Sequence, residues 1–246
     1  MTFRTGIGTS DADSITLMGR DLATDLMGNV TLTELTFLMV QGRMPSPDET
    51  RLFDAILISL ADHGLTPTVL AARLTYTGAP ESIQGAVAAG LLGAGSVFLG
   101  VVEDTARFLD EIGDDVEGGV KQALAAGRRI PGLGHPVHKV QDPRTPRIYA
   151  IAEETGQLGP HLQRLREVAE VHAKQTGREL PINGAGVAGA ALADLGFPAA
   201  LLRGFALLAR TAGLLGHLAE EMEHPMGMPL YREVDERAKY DPPTGE

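Results

Sequence analysis

Between Gly85 and Val102 the chain carries no charged residue, and half of those positions are Gly or Ala. An uncharged run of this length either crosses a bilayer or packs inside protein. Gly85, Gly90, Gly93, Gly95 and Gly100 are spaced to let helices approach closely, as small residues also do in membranes. The stretch lacks aromatic belts, and no second stretch of its kind stands out. A buried helix pair is therefore expected, with no membrane partner.

Helix signals surround this region. Thr31 can cap a helix through Leu35, Phe37 and Leu38 that stops at Gly42. Ser46-Pro47-Asp48-Glu49 has the form of a capping box with Pro at the first helical position. Leu52, Phe53, Ile56, Leu57 and Leu60 follow at helical spacing. Thr66-Pro67 restarts a helix, and Thr105 to Ile112 reads as an amphipathic one that ends at GDDVEGG. Further helices are expected over Val120–Ala126, Thr145–Glu154, His161–Gln175 and Pro198–Met222, and Asn183–Leu195 is rich in small residues. No run alternates as a strand would, and no repeat has a fixed period. The pattern predicts an all-α fold, with the polar tail from Glu233 to Glu246 loosely held.

With 246 residues, 43% of them hydrophobic, the chain can bury a substantial core. Its formal charge of −11 argues against nucleic acid as a partner. It has no cysteine, hence no disulfide framework, which fits a cytoplasmic protein. The N-terminal residues lack the apolar core of a secretory signal. His217 and His224 lie near Glu220, Glu221 and Glu223, but without His-Glu-x-x-His spacing. No metal is expected, and those glutamates read as a solvated helix face.

The chemistry concentrates in Ile130–Arg144, IPGLGHPVHKVQDPR. Gly132 and Gly134 allow close backbone approach, and His135 beside them can polarise a carbonyl or move a proton. Arg144 offers a planar fork suited to a carboxylate. A connecting loop with a structural histidine and surface cations is the other reading, and residue chemistry alone leaves both open. Arg210, in an apolar helix, needs an anionic partner if buried, which favours a functional role.

The run PGLGHPVHKVQDPR resembles the PG-x-GH-x(7)-PR signature of the citrate synthase family. TLTELTFLMVQGRMPSPDE, ADHG, LLARTAGLLGH and LYRE resemble further family segments in the same order, covering about residues 14 to 236. The short form is similar to citryl-CoA lyases and to the citrate-synthase-like module of ATP-citrate lyase. The resemblance implies a multi-helix unit over 1–246, with a large subdomain of about 1–95 and 186–246 and a small one of about 96–185. It implies that His135 acts on the keto or hydroxyl oxygen, and that His63, Arg144, Arg210 and Arg232 bind substrate. Arg232, the loosest match, would act across a homodimer interface. Pro131, Gly132, Leu133, Gly134 and Lys139 would hold a coenzyme A thioester, with a di- or tricarboxylate as the second partner.

Two family positions differ. Phe98 in GAGSVFLG stands where citrate synthases carry a histidine, as it also does in the lyase-type module. In INGAG, Ala185 stands where the family places its proton-transferring aspartate, next to Asn183. Another group replaces that carboxylate, the substrate does not need it, or the protein binds without turnover. The implied activity is cleavage of a citrate-like acyl-CoA to an acyl-CoA and a 2-oxo acid, or the reverse condensation. The alternative is a non-catalytic CoA or polycarboxylate binder.

Overall fold

The first two α-helices of this chain start at reciprocal side-chain caps. In the computed structural model, which describes residues 2–242, Thr31 Oγ1 accepts from Glu34 N at 3.2 Å while Glu34 Oε2 accepts from Thr31 N at 2.8 Å. This capping box starts α1 (Leu32–Gln41), which stops at Gly42 with φ 72°. Ser46 and Glu49 form the second box, at 3.2 and 2.7 Å, ahead of α2 (Pro47–Ala61). Arg43 adds a fork to Glu49 at 2.9 and 2.6 Å, and with the Ser46 amide it holds the Glu49 carboxyl down at about 2.

Among the described residues nine further α-helices follow: α3 (Pro67–Gly78), α4 (Ile83–Ala94), α5 (Gly100–Ile112), α6 (Val116–Ala125), α7 (Arg144–Glu154), α8 (Pro160–Thr176), α9 (Gly184–Asp194), α10 (Ala199–Glu223) and α11 (Gly227–Arg237). The fold is all-α, as the pattern predicts. Strands β1 (Gly8–Ser10), β2 (Ile15–Leu17) and β3 (Arg20–Asp21) form one antiparallel sheet in that order. At two or three residues each they are too short for an alternating pattern to show.

Packing divides the described residues into two units: the chain up to Ser59 with Val101–Leu202, and Leu60–Gly100 with the residues from Arg203 onward. This differs from the expected subdomain bounds, since 1–59 and 186–202 group with 101–185.

In the first unit, Phe37, Phe53 and Phe197 meet with ring centroids 5.0 to 6.0 Å apart. The small residues of α9 serve close approach: a Cβ on Gly189 would lie 2.1 Å from Val102 O, and one on Gly186 2.4 Å from Gly132 Cα. In the second unit Val69, Ala72, Ala86, Leu214 and Leu218 form the core, and Gly90 abuts Leu214 and Ala72.

Three further expectations change. The uncharged stretch runs through α4, a π-helical turn at Gly95–Leu99 and α5 as one helical run, Ile83–Ile112, of which only a third of the most apolar window is buried. Leu92 is 83% exposed, so this is not a wholly buried pair. By length and composition alone α10 passes the same membrane test, which makes it a second such stretch. The tail is helical up to Arg237 as part of α11, and its last residues, 243–246, lie outside those described.

Candidate functional site

In the first unit the loop after α6 is zipped to the segment before α9. Gly134 N donates to Pro181 O at 2.7 Å, and Asn183 N donates to Gly132 O at 2.9 Å. Asn183 Nδ2 donates to Gly134 O at 2.8 Å, and its Oδ1 caps α9 through Gly186 N at 2.8 Å. Leu133 bridges Ile182 in antiparallel register, just after Pro131. Gly132 and Gly134 have φ of 83° and 79°, a region that side chains disfavour. The loop glycines thus spend these backbone groups on the protein's own chain.

This scaffold fixes the chemistry of His135. Its Nδ1 accepts from Val137 N at 3.1 Å and His138 N at 3.0 Å. A nitrogen that accepts two amide hydrogens carries no proton, so the ring is the neutral tautomer with its proton on Nε2. Nε2–H is then a hydrogen-bond donor. The His138 ring stacks on His135 at 4.5 Å, and Lys139 Nζ donates to His135 O at 3.2 Å.

Arg144, at the start of α7, is already engaged. Its Nε and Nη2 donate to the two oxygens of Asp142 at 2.9 and 2.7 Å, and Nη1 donates to Ser59 O at 3.3 Å. Asp142 also accepts from Arg144 N at 3.1 Å and Gly184 N at 2.8 Å. Burial would raise the Asp142 carboxyl, but the Arg144 fork and these amides outweigh it and hold it well below the usual range. Asp142 is therefore held ionised with both oxygens engaged, which makes it a poor proton acceptor. Ala185 lies in the first turn of α9, half-buried.

The second unit holds His63, Phe98, Arg210 and Arg232. His63 sits in the turn between α2 and α3. Arg210 is 5% exposed on α10, as its apolar surroundings implied. Arg232 is exposed on α11, and Phe98, on the π-helical turn, is 46% exposed. The bounds of the two units assign His63, Arg210 and Arg232 to one and His135 and Arg144 to the other.

The sequence reading missed Arg73. Its buried guanidinium reaches Glu221 Oε2 at 3.1 Å, Glu220 and His217 Nδ1, the last at 2.9 Å. Glu221 is itself buried and accepts from Met226 N and Gly227 N at 3.0 and 2.8 Å. For Glu221 the solvated helix face is thus corrected: burial, which would raise its carboxyl, is outweighed by these amides and Arg73.

A family model for the citrate synthase C-terminal domain matches residues 16–234, so the chain belongs to the citrate synthase family. Within it, citryl-CoA lyase from Hydrogenobacter thermophilus is similar at TM-score 0.89 and 34% identity, over 100% of this chain and 98% of that one. ATP citrate lyase from Methanothrix soehngenii, solved with citrate and coenzyme A, shares the fold at TM-score 0.81 and 23% identity, over 99% of this chain and 42% of that one. Citrate synthase from Synechocystis is 30% identical over 194 residues, 75% of this chain and 48% of that protein. The chain spans about half the length of the curated relatives it matches.

Proposed function

We propose that this protein is a CoA-dependent carbon–carbon lyase that cleaves citryl-CoA or a close analogue to an acyl-CoA and a 2-oxo acid such as oxaloacetate. The observation that carries the reading is the His135 tautomer, held by two amides in a chain similar to a citryl-CoA lyase over nearly the whole of both. His135 Nε2–H holds the oxygen that is a hydroxyl in citryl-CoA and a ketone in oxaloacetate. As a donor it polarises the ketone, so in cleavage the hydroxyl proton leaves to another acceptor. The carbon–carbon electron pair passes to the acyl-CoA α-carbon as an enolate, and that carbon takes up a proton to give the acyl-CoA. Pro131, Gly132, Leu133, Gly134 and Lys139 belong to the CoA side of this reading, and His63, Arg144, Arg210 and Arg232 to the carboxylate side. For Arg144 to grip a substrate carboxylate it uses Nη1 or exchanges Asp142 for the ligand.

A homodimer in the cytoplasm completes the proposal. Gly204, Leu208, Ala212, Leu215, Ala219 and Met222 form an exposed small-and-apolar stripe on α10, suited to helix pairing across a two-fold axis. The lack of cysteine fits a reducing compartment. A monodisperse monomer by light scattering at micromolar concentration would remove the dimer.

Ala185 motivates the second reading, a binder without turnover. Citryl-CoA and related 3-hydroxyacyl-CoA esters are the test substrates. Cleavage or condensation supports the lyase, whereas calorimetric binding of CoA or citrate without turnover of any ester supports the binder.

A further inference from the structure

The proposed chemistry leaves His217 unused, yet it is the hinge of a relay in the second unit. An arginine guanidinium only donates, so His217 Nδ1, 2.9 Å from Arg73 Nη2, is the acceptor. The ring proton is then on Nε2, which donates to Asp62 Oδ1 at 2.9 Å. Asp62 Oδ2 accepts from Gly64 N at 2.8 Å, so the Asp62 carboxylate clasps the turn that carries His63. Arg73 is fixed from behind by buried Glu221, itself pinned by two backbone amides.

Backbone packing agrees with this order. A Cβ on Gly213 would lie 2.1 Å from Ala61 O and 3.3 Å from Asp62 Cβ, so α10 presses directly on the turn. Arg210, Gly213 and His217 are spaced i, i+3, i+7 and share one face of α10. One helix face therefore carries a candidate carboxylate-binding arginine, the close contact to the turn and the hydrogen bond that orients it.

We infer that His217 is a positioning residue for His63: the relay Glu221–Arg73–His217–Asp62 sets the turn on which His63 meets the substrate. This rests on the reading of His63 as a substrate-binding group. His217 touches no substrate and acts through Asp62.

The test is a double-mutant cycle on citryl-CoA cleavage, joined to histidine ring ¹⁵N NMR. His217→Leu is expected to lower kcat/KM about 10²-fold, the scale of a misplaced group. His217→Gln keeps one acceptor and one donor and is expected to recover most of that loss. In a His63→Ala background, His217→Leu should cost nothing further, because both changes remove the same interaction. Losses that multiply, or a fully active H217L, overturn the inference. If H217L does not fold, Asp62→Ala breaks the last link at a partly exposed site, and the same non-additivity is expected. NMR of the wild type should show an unprotonated Nδ1 and a protonated Nε2 on His217. If the wild type cleaves no citryl-CoA, the lyase reading fails on its own. His63 ring signals unchanged in folded H217L or D62A would then overturn the positioning role.

Discussion

Two histidines in this molecule have their tautomers fixed, and by different materials. His135 is fixed by two main-chain amides in a glycine loop, His217 by the guanidinium of Arg73 on another helix. The backbone device is local: both donors lie within three residues, and no neighbouring side chain has to be right. The side-chain device is long-range, since Arg73 is 144 residues from His217 and 148 from Glu221. Local devices tolerate distant substitution, whereas a relay is only as strong as its most buried link.

That contrast is broken most severely at Arg73. Arg73→Met leaves Glu221 buried without its cation, and breaking a buried pair costs about 3 to 5 kcal/mol. Chemical denaturation should show that loss, while the His135 ring signals stay as in the wild type. Movement of the His135 signals would mean the two devices are not independent.

Gly186→Ala attacks the backbone device instead. Its Cβ would lie 2.4 Å from Gly132 Cα. Overpacking of this kind costs about 1 to 3 kcal/mol. It should also disturb the His135 tautomer and leave His217 unchanged, the reverse of Arg73→Met.

Smaller effects follow from pH. Glu49 and Asp142 are ionised further into acid than in the unfolded chain. Their contribution is present above the unfolded values and is lost as pH falls through the folded ones, for Glu49 between 4.5 and about 2. His161 behaves oppositely: hydrogen bonds to Asp194 and Asp110 raise its value from 6.5 despite burial, so its contribution is full below 6.5 and is lost as pH rises through the folded value. Melting temperature against pH should flatten on the acid side in Glu49→Gln and on the alkaline side in His161→Gln. Parallel curves for wild type and variants would refute both assignments. The smallest effect is expected at Glu111, whose ion pair with Arg128 lies at the surface. Glu111→Gln should leave the melting temperature unchanged.

The legible parts of the fold were those with local causes. Thr31, Ser46 and Pro47 announce helices because caps act within one turn, and the glycines at 132 and 134 mark a loop that only positive φ can build. Arg210 was readable because a charge in an apolar helix is itself a signal. Arg73 carries the same signal in VLAARLTY, but its anions are remote in sequence, so no local pattern points to them. Glu221 reads as solvated because Glu220 and Glu223 share the helix end with it, although the helix turns only one of the three inward. The engagement of Arg144 by Asp142 was also hidden: the DPR triplet shows both residues but not the fork that joins them.

The central claim is that a site lacking a carboxylate at Ala185 still breaks a carbon–carbon bond. The direct measurement is incubation of purified protein with (3S)-citryl-CoA, with both products quantified over time. The account predicts equimolar acetyl-CoA and oxaloacetate, with the rate reduced about 10²-fold or more in His135→Ala. Citryl-CoA that is bound but recovered intact, with neither product formed, would contradict it.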